Sequence, residues 1–158
     1  MKKLLLVLIA VMGLTFAANA QNNAIGLRLG GSYDSNVYTP GTELSFQTAL
    51  GANRLEADLG YHFGKGYSFI GLAVIYQLHF DIAAVPNLGW YAGLGGRVDL
   101  WTGNTSSVAL GAVGQLGLDY QFQAVPLQLS LDVRPALYFL PDIHFSPADL
   151  ALGIRYTF

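Results

Sequence analysis

The sequence ends with the nine residues Leu150-Ala151-Leu152-Gly153-Ile154-Arg155-Tyr156-Thr157-Phe158, and this stretch decides the fold. Consecutive side chains of a β-strand point to opposite faces, so residues two apart share a face. Here the large apolar residues fall on one face, and the small or polar residues fall on the other. The pattern predicts an amphipathic strand that ends on an aromatic residue.

The amino terminus has the pattern of a secretory signal peptide. Lys2 and Lys3 precede an apolar run, and small residues follow at Ala18-Asn19-Ala20. This order predicts a cleaved signal peptide over residues 1–20, followed by a single domain over residues 21–158. The apolar run is shorter than the roughly 20 residues that a membrane-spanning helix needs.

The composition is unusually poor in charge. Charged residues make up 11% of the sequence, against about 25% in typical soluble domains. The absence of cysteine excludes a disulfide framework and a thiolate metal site. Ten acidic residues stand against eight basic ones, so no basic face is available and a nucleic-acid partner is not expected. After the signal peptide, no apolar run is long enough for a spanning helix, so the apolar surface must be accommodated in another way.

Seven further segments with the same alternation precede the last one, and clusters of turn residues separate them. The eight predicted strands cover residues 24–31, 42–50, 54–63, 68–82, 88–101, 107–122, 126–139 and 150–158. The predicted longer loops cover residues 32–41, 102–106 and 140–147. Pro135 lies inside the seventh strand and has no backbone N–H to donate, which predicts a local irregularity there.

The two faces of these strands differ in size and in charge. One face collects Leu, Ile, Val and aromatic residues, whereas the other carries glycines and most of the charged residues. A soluble lipocalin-like barrel would turn the apolar face inward. The interior of an eight-stranded barrel is only just wide enough for side chains, so the many large apolar residues do not fit inside. The polar face also lacks the Lys and Glu density of a surface in water, so the apolar face is predicted to contact lipid.

The inward face is predicted to carry a polar network, because charged groups away from bulk water need partners. Its predicted members are Arg28, Glu43, Glu56, Asp58, His79, Asp81, Arg97, Asp99, Asp119, Asp132, Arg134, Asp149 and Arg155. The network predicts a structural plug, and the alternative is a narrow pore or a polar ligand-binding barrel for small solutes. His62 and His79 share this face with acids, but nothing fixes a converging set of ligands, so no metal or other cofactor is predicted.

Lipid offers no water to an unpaired strand edge, so strands in a bilayer must close into a barrel. Eight strands is the smallest common number. The predicted fold is therefore all-β, an eight-stranded antiparallel up-and-down transmembrane β-barrel. With both termini on the periplasmic side, outward aromatic residues gather near the periplasmic ends of the strands, as in an interfacial girdle. They are Phe80, Trp90, Tyr120, Tyr156 and Phe158.

A signal peptide, eight amphipathic strands and a terminal Phe together resemble the small bacterial outer-membrane barrel group. Its members include outer membrane proteins X and W and the transmembrane domain of outer membrane protein A. The resemblance implies the outer membrane of a Gram-negative bacterium, with lipid and lipopolysaccharide around the barrel. It also implies that Tyr156 and Phe158 belong to the signal that the barrel assembly machinery reads. A monomer is expected, with a non-enzymatic structural role or a loop-mediated interaction with an extracellular partner.

The tripeptide His144-Phe145-Ser146 offers a second alternative. If the alternation of the last strand continues back to residue 144, His144 and Ser146 face lipid near the outer leaflet. A His-x-Ser pair there resembles the motif of lipid A deacylases, which would make Ser146 the nucleophile and His144 the base. Pro147 stands where that family tends to carry Asn, and no Glu on the lipid-facing positions could orient the base. No catalytic residue is therefore predicted.

Overall fold

The computed structural model describes residues 23–34, 37–64, 66–102 and 107–158, so the predicted signal peptide lies outside the described residues. Ten strand segments follow one another along the chain. They are β1 (Asn23–Asp34), β2 (Val37–Leu50), β3 (Asn53–Phe63), β4 (Ser68–Asp81), β5 (Leu88–Thr102), β6 (Ser107–Gln121), β7 (Leu127–Val133), β8 (Ala136–Leu140), β9 (His144–Ser146) and β10 (Ala148–Thr157). In this part of the chain, no helix has the length and the apolar character that a membrane crossing requires.

The segments form one closed antiparallel barrel of eight strands. Each of β1 to β5 pairs with the next segment, and β1 also pairs with β10, which closes the sheet. β7 and β8 together make the seventh barrel strand, and β9 and β10 make the eighth, because β8 pairs with β9 and β7 pairs with β10. At the seam, Asn23 and Phe158 exchange backbone hydrogen bonds of 3.0 and 2.8 Å. The predicted eight-stranded barrel is confirmed.

The irregularity predicted at Pro135 is also confirmed. The seventh barrel strand is interrupted between Val133 and Ala136, although its register with β6 is the same on both sides of the break, since Val133 pairs with Leu116 and Ala136 pairs with Val113. The sheet stays closed across the break because Arg134 and Asp149 exchange backbone hydrogen bonds of 2.9 and 3.1 Å. The proline therefore interrupts one strand without opening the barrel wall.

Two predicted loops are shorter than expected. Residues 32–41 were predicted as a loop, but β1 and β2 continue through them, with Ser32 opposite Thr39 and Tyr33 opposite Tyr38. The tyrosines and threonine favour a pleated strand, and their polar groups reflect a position near one end of the barrel rather than a turn. Likewise, β9 lies inside the predicted loop 140–147.

The barrel has two distinct ends and two distinct faces. We call the end at which Asn23 and Phe158 lie the terminal end, and the opposite end the loop end. Large apolar side chains cover the outside, as at Leu27, Leu72 and Leu116, whereas nearly all charged strand residues are buried inside. The predicted orientation of the two faces is confirmed. At the terminal end, outward rings pair, as at Phe80 and Trp90, whose centroids lie 4.4 Å apart.

Candidate functional site

Four buried arginines dominate the interior, and each contacts at least one carboxylate from another strand. They are Arg28, Arg97, Arg134 and Arg155. Their positions on β1, β5, the β7–β8 break and β10 follow from the strand alternation, since each lies on the same face as the neighbouring glycines and acids. Groups from distant strands therefore meet in the centre of the barrel, where burial makes paired charges necessary.

The half of the interior nearer the loop end contains Arg28 and its acids. Arg28 Nη1 lies 2.9 Å from Glu43 Oε2 and 3.0 Å from Asp149 Oδ1. Its Nη2 lies 2.8 Å from Asp132 Oδ1. One guanidinium therefore joins carboxylates from β2, β7 and β10.

Arg97 extends the same group toward β5 and β8. Its Nε lies 2.9 Å from Asp99 Oδ1, and its Nη1 lies 3.1 Å from Asp149 Oδ2. The Tyr138 hydroxyl donates to Asp99 from β8, which is separated from β5 in the sheet by β6 alone. Arg97 also lies over the Phe69 ring, 5.7 Å from its centroid. Arg97 thus contacts two carboxylates and one aromatic ring.

Arg134 and Arg155 meet at Glu56 in the middle of the barrel. Arg134 contacts Glu56, lies 2.8 Å from Asp58 Oδ2 and lies 3.2 Å from Glu43 Oε2. Arg155 Nη2 lies 2.9 Å from Glu56 Oε1, and its other nitrogens donate to serine hydroxyls on β2 and β7. Glu56 also accepts from the side-chain amides of two glutamines, Gln47 and Gln77. This cluster cross-links β2, β3, β4, β7 and β10.

A smaller group surrounds Asp119 nearer the terminal end. Arg54 Nη1 lies 2.5 Å from Asp119 Oδ2, and His79 Nε2 lies 2.8 Å from Asp119 Oδ1. Gln128 donates to the same carboxylate at 2.7 Å. The interior polar groups thus form three successive levels along the barrel.

The structure places twelve of the thirteen residues of the predicted network inside the barrel, and Asp81 is the exception. Its side chain is 96% exposed and reaches only to 4.0 Å from His79 Nδ1. The alternation assigned it to the inward face correctly, but β4 ends at this residue, so its carboxylate points into the mouth at the terminal end. The prediction that Asp81 belongs to the buried network is wrong.

Several contributors were missed by a prediction based on charge. Arg54 was overlooked because it directly follows a turn, although it shares the inward alternation of Glu56. The uncharged members Gln47, Gln77, Gln115 and Gln128 have the same inward positions and are buried. Tyr91 and Tyr138 are also buried inside, where the alternation places them despite their size. Alternation applied to every residue type would have found all of these positions.

Glu43, His62 and Asp149 bring potential metal ligands together. One ligand atom of each lies within 4.8 Å of the others, and all three residues are buried. Both carboxylates already contact Arg28, and His62 Nε2 lies 3.1 Å from Glu43 Oε1. A divalent cation would have to compete with that guanidinium, so the donor set suits ion pairing better than metal binding.

The expected lipid-facing placement of His144 and Ser146 is wrong. Phe145 faces outward instead, and Ser146 is buried, with its Oγ 3.5 Å from Ser32 Oγ. The His144 ring stacks on Tyr138, at 4.6 Å between centroids. Ser146 and Asp149 both point inward although they are three residues apart, because the chain between β9 and β10 breaks the alternation at Pro147.

A cavity lies at each end of the barrel. The cavity at the terminal end has a volume of about 500 Å³ and a mostly polar lining that includes Gln47, Asn53, Arg54, Gln121 and Gln128. The cavity at the loop end has a volume of about 250 Å³ and a lining rich in aromatic rings. The clusters of Arg28, Arg134 and Arg155 lie between the two cavities.

Comparison with known proteins identifies the architecture. No protein-family model matches the sequence, and no curated protein matches it either. Among solved structures, the chain is similar to the crystal structure of Neisserial surface protein A, with a TM-score of 0.63 and 14% sequence identity. The match covers 87% of this chain and 95% of that chain. At this identity the likeness shows the fold alone, an eight-stranded barrel of the outer-membrane type.

Proposed function

We propose that this chain is a non-enzymatic β-barrel of the bacterial outer membrane with a closed interior. Its role would be structural, or would be exerted by the loop end on an extracellular partner. The observation that carries the proposal is the cluster around Arg134, which contacts Glu43, Glu56 and Asp58 in the middle of the barrel. This cluster separates the two cavities, so neither cavity alone offers a passage.

The energetics of the cluster support a plug. Removing one partner from a buried ion pair costs about 3–5 kcal/mol, because it leaves an uncompensated charge. A solute passing through the barrel would have to part Arg28, Arg134 and Arg155 from their acids in succession. These contacts reach across the barrel from five of its strand segments, so they stabilise the closed form.

The outer surface supports the proposed location and partners. Its apolar side chains suit lipid and the acyl chains of lipopolysaccharide, and its aromatic pairs suit a membrane interface. Tyr156 faces outward at the closing seam, next to Phe158. We propose these two residues as part of the signal for the barrel assembly machinery, and we propose a monomer with no nucleic-acid partner.

Planar-bilayer recording tests the closed interior. Folding is verified first by heat-modifiable migration in a detergent gel, and wild-type protein is then expected to show no steady conductance. Arg134→Ala should introduce a cation-preferring conductance, because four acids lose a shared partner and space opens beside them. Arg54→Ala, at the mouth, should leave the bilayer silent.

The same recording addresses the second candidate, a narrow pore or polar ligand-binding barrel for small solutes. The polar cavity of about 500 Å³ at the terminal end favours this candidate, since a solute could enter the barrel there. If folded wild-type protein shows a steady conductance, and Arg134→Ala enlarges it, the interior is a pore and not a plug.

A further inference from the structure

We propose that the cavity at the loop end, lined in part by Tyr67, Trp101, Tyr138 and His144, binds a single neutral sugar ring. The proposal goes beyond a structural role, because it assigns a ligand-binding site that does not depend on whether the barrel conducts. It rests on the shape of the cavity, on the chemistry of its walls and on the absence of charge from its described lining.

Two groups of aromatic rings form two walls of this cavity. On one wall, Trp101 packs on Phe69, with 4.3 Å between centroids, and on Tyr67, with 5.6 Å. On the other wall, Tyr138 and His144 are stacked at 4.6 Å, with an angle of 10° between the rings. The negative faces of such rings attract the positively polarised C–H groups of a sugar ring. A flat ring with C–H groups on its faces therefore suits a cavity lined by such rings.

Hydroxyl groups line the edges between the two walls. The Thr39 and Tyr67 hydroxyls lie 2.7 Å apart, and those of Ser32 and Ser146 lie 3.5 Å apart. Each can donate and accept, which is the capacity that a ring of sugar hydroxyls requires. The Ser32–Ser146 pair is at the limit of hydrogen-bond distance, so a ligand hydroxyl between them would replace a weak contact rather than a strong one.

The described lining contains no Asp, Glu, Lys or Arg side chain. Among the described residues of the lining, a charged ligand would therefore find no Asp, Glu, Lys or Arg partner to offset its loss of water. A cation meets a further obstacle, because Arg97 already lies over the Phe69 ring that would otherwise attract it. A purely aromatic ligand could stack but would leave the hydroxyl edges unused. These features favour an uncharged ligand with apolar faces and a polar edge.

The cavity is small, and its walls are held in place from below. Its volume of about 250 Å³ is below the 300–1,000 Å³ or so of sites for drug-sized ligands, so one ring is the expected size. Tyr138 is anchored through its hydroxyl to Asp99, and Phe69 is stacked on His62 at 4.4 Å. Walls that are already ordered lose little conformational entropy on binding, which favours even a weak ligand.

Tryptophan fluorescence provides the test, since the sequence has only two tryptophans. Trp101 lines the cavity, whereas Trp90 lies outside at the terminal end, stacked on Phe80. In a Trp90→Phe background, Trp101 becomes the single reporter. The protein is folded in a detergent without a sugar head group and titrated with the methyl glycosides of glucose, galactose and mannose and with N-acetylglucosamine. We expect a saturable change in Trp101 fluorescence with at least one of these sugars. The expected Kd is about 1 mM, because the ligand is small.

Variants and competing probes decide the outcome. Tyr67→Ala should weaken binding about tenfold, whereas Tyr61→Ala, which removes an outward tyrosine of the same size, should leave it unchanged. His144→Ala serves in place of Tyr67→Ala if that variant does not fold. The absence of a saturable change with all four sugars would overturn the proposal. Tighter binding of glucuronate or of indole, or wild-type affinity in Tyr67→Ala, would do the same. None of these results depends on conductance, so the plug can fail while the site holds, and the reverse.

Discussion

Arg28 Nη2 lies 2.8 Å from Asp132 Oδ1, although 104 residues separate the two along the chain. The contact joins β1 to β7 across the inside of the barrel, where β10 lies between them in the sheet. Both side chains are almost completely buried. The pair therefore reports on the closed barrel as a whole, and not on one hairpin.

Replacing Arg28 by Met should lower the free energy of unfolding by about 3–5 kcal/mol, because Glu43, Asp132 and Asp149 lose a shared buried partner. Denaturant titration of protein folded in lipid vesicles measures this loss. Arg54→Met is the matched control, and its loss should be smaller, since the Arg54 side chain is 24% exposed and contacts a single acid. Equal losses of unfolding free energy in the two variants would show that the central network stabilises the barrel no more than the contact at the mouth.

Two valines test whether the outer face contacts lipid. Val74 in β4 and Val85 in the turn at the terminal end are each 43% exposed. Val74→Arg should cost about 2–4 kcal/mol in a bilayer, whereas Val85→Arg should cost about 0–1, because the penalty falls toward the interface. Unfolding titrations in vesicles of one lipid composition give both values. A similar cost for both valines would contradict a lipid-facing position for β4.

Two neighbouring glycines test how closely the strands pack. A Cβ at Gly95 would lie 2.0 Å from the Val74 carbonyl oxygen, whereas a Cβ at Gly96 would meet nothing within 4 Å. Gly95→Ala must move the backbone of β4, and we expect a loss of about 1–3 kcal/mol, as for other overpacked sites. Gly96→Ala should stay close to wild type in the same denaturation assay. A tolerated Gly95→Ala would mean that β4 and β5 can separate without cost.

The enzyme alternative makes a prediction that we expect to fail. Ser146 is buried beside Ser32 and does not face lipid, so an acyl ester in the outer leaflet could not reach its hydroxyl from the membrane. Lipid A from membranes containing wild-type protein and from membranes containing Ser146→Ala should have the same mass. Loss of an acyl chain that depends on Ser146 would make the protein an enzyme after all.

The sequence predicted what depends on local alternation, and it failed where that alternation is interrupted. From Leu150 to Phe158 the pattern is unbroken, and the two faces are assigned correctly. At Pro147 the alternation shifts, so the same reasoning turned Ser146 to the wrong face. A pattern of single residues cannot show such a shift, because it depends on how β9 pairs with β8.

The partners of each charge were beyond the sequence for a different reason. Arg134 was placed inside correctly, yet its choice of Glu43, Glu56 and Asp58 follows from the stagger of the strands around the barrel. Asp81 shows the same limit at the end of a strand. The alternation assigns it to the inward face, but its position along the barrel axis leaves the carboxylate in water. The aromatic cavity depends on both effects, since Trp101 and His144 come from strands on different sides of the loop end.

The separation between Arg28 and Asp132 also dictates an order of events during assembly. Two further contacts join residues that are distant in the sequence. Arg155 and Glu56 are 99 positions apart, and Arg134 and Glu56 are 78 positions apart. Neither pairing is available while the sheet is still open, because β1 to β3 must wait for β7 and β10 to arrive. Until then these charges require water. We therefore expect the inner side of a growing sheet to stay hydrated until the seam at Asn23 and Phe158 closes.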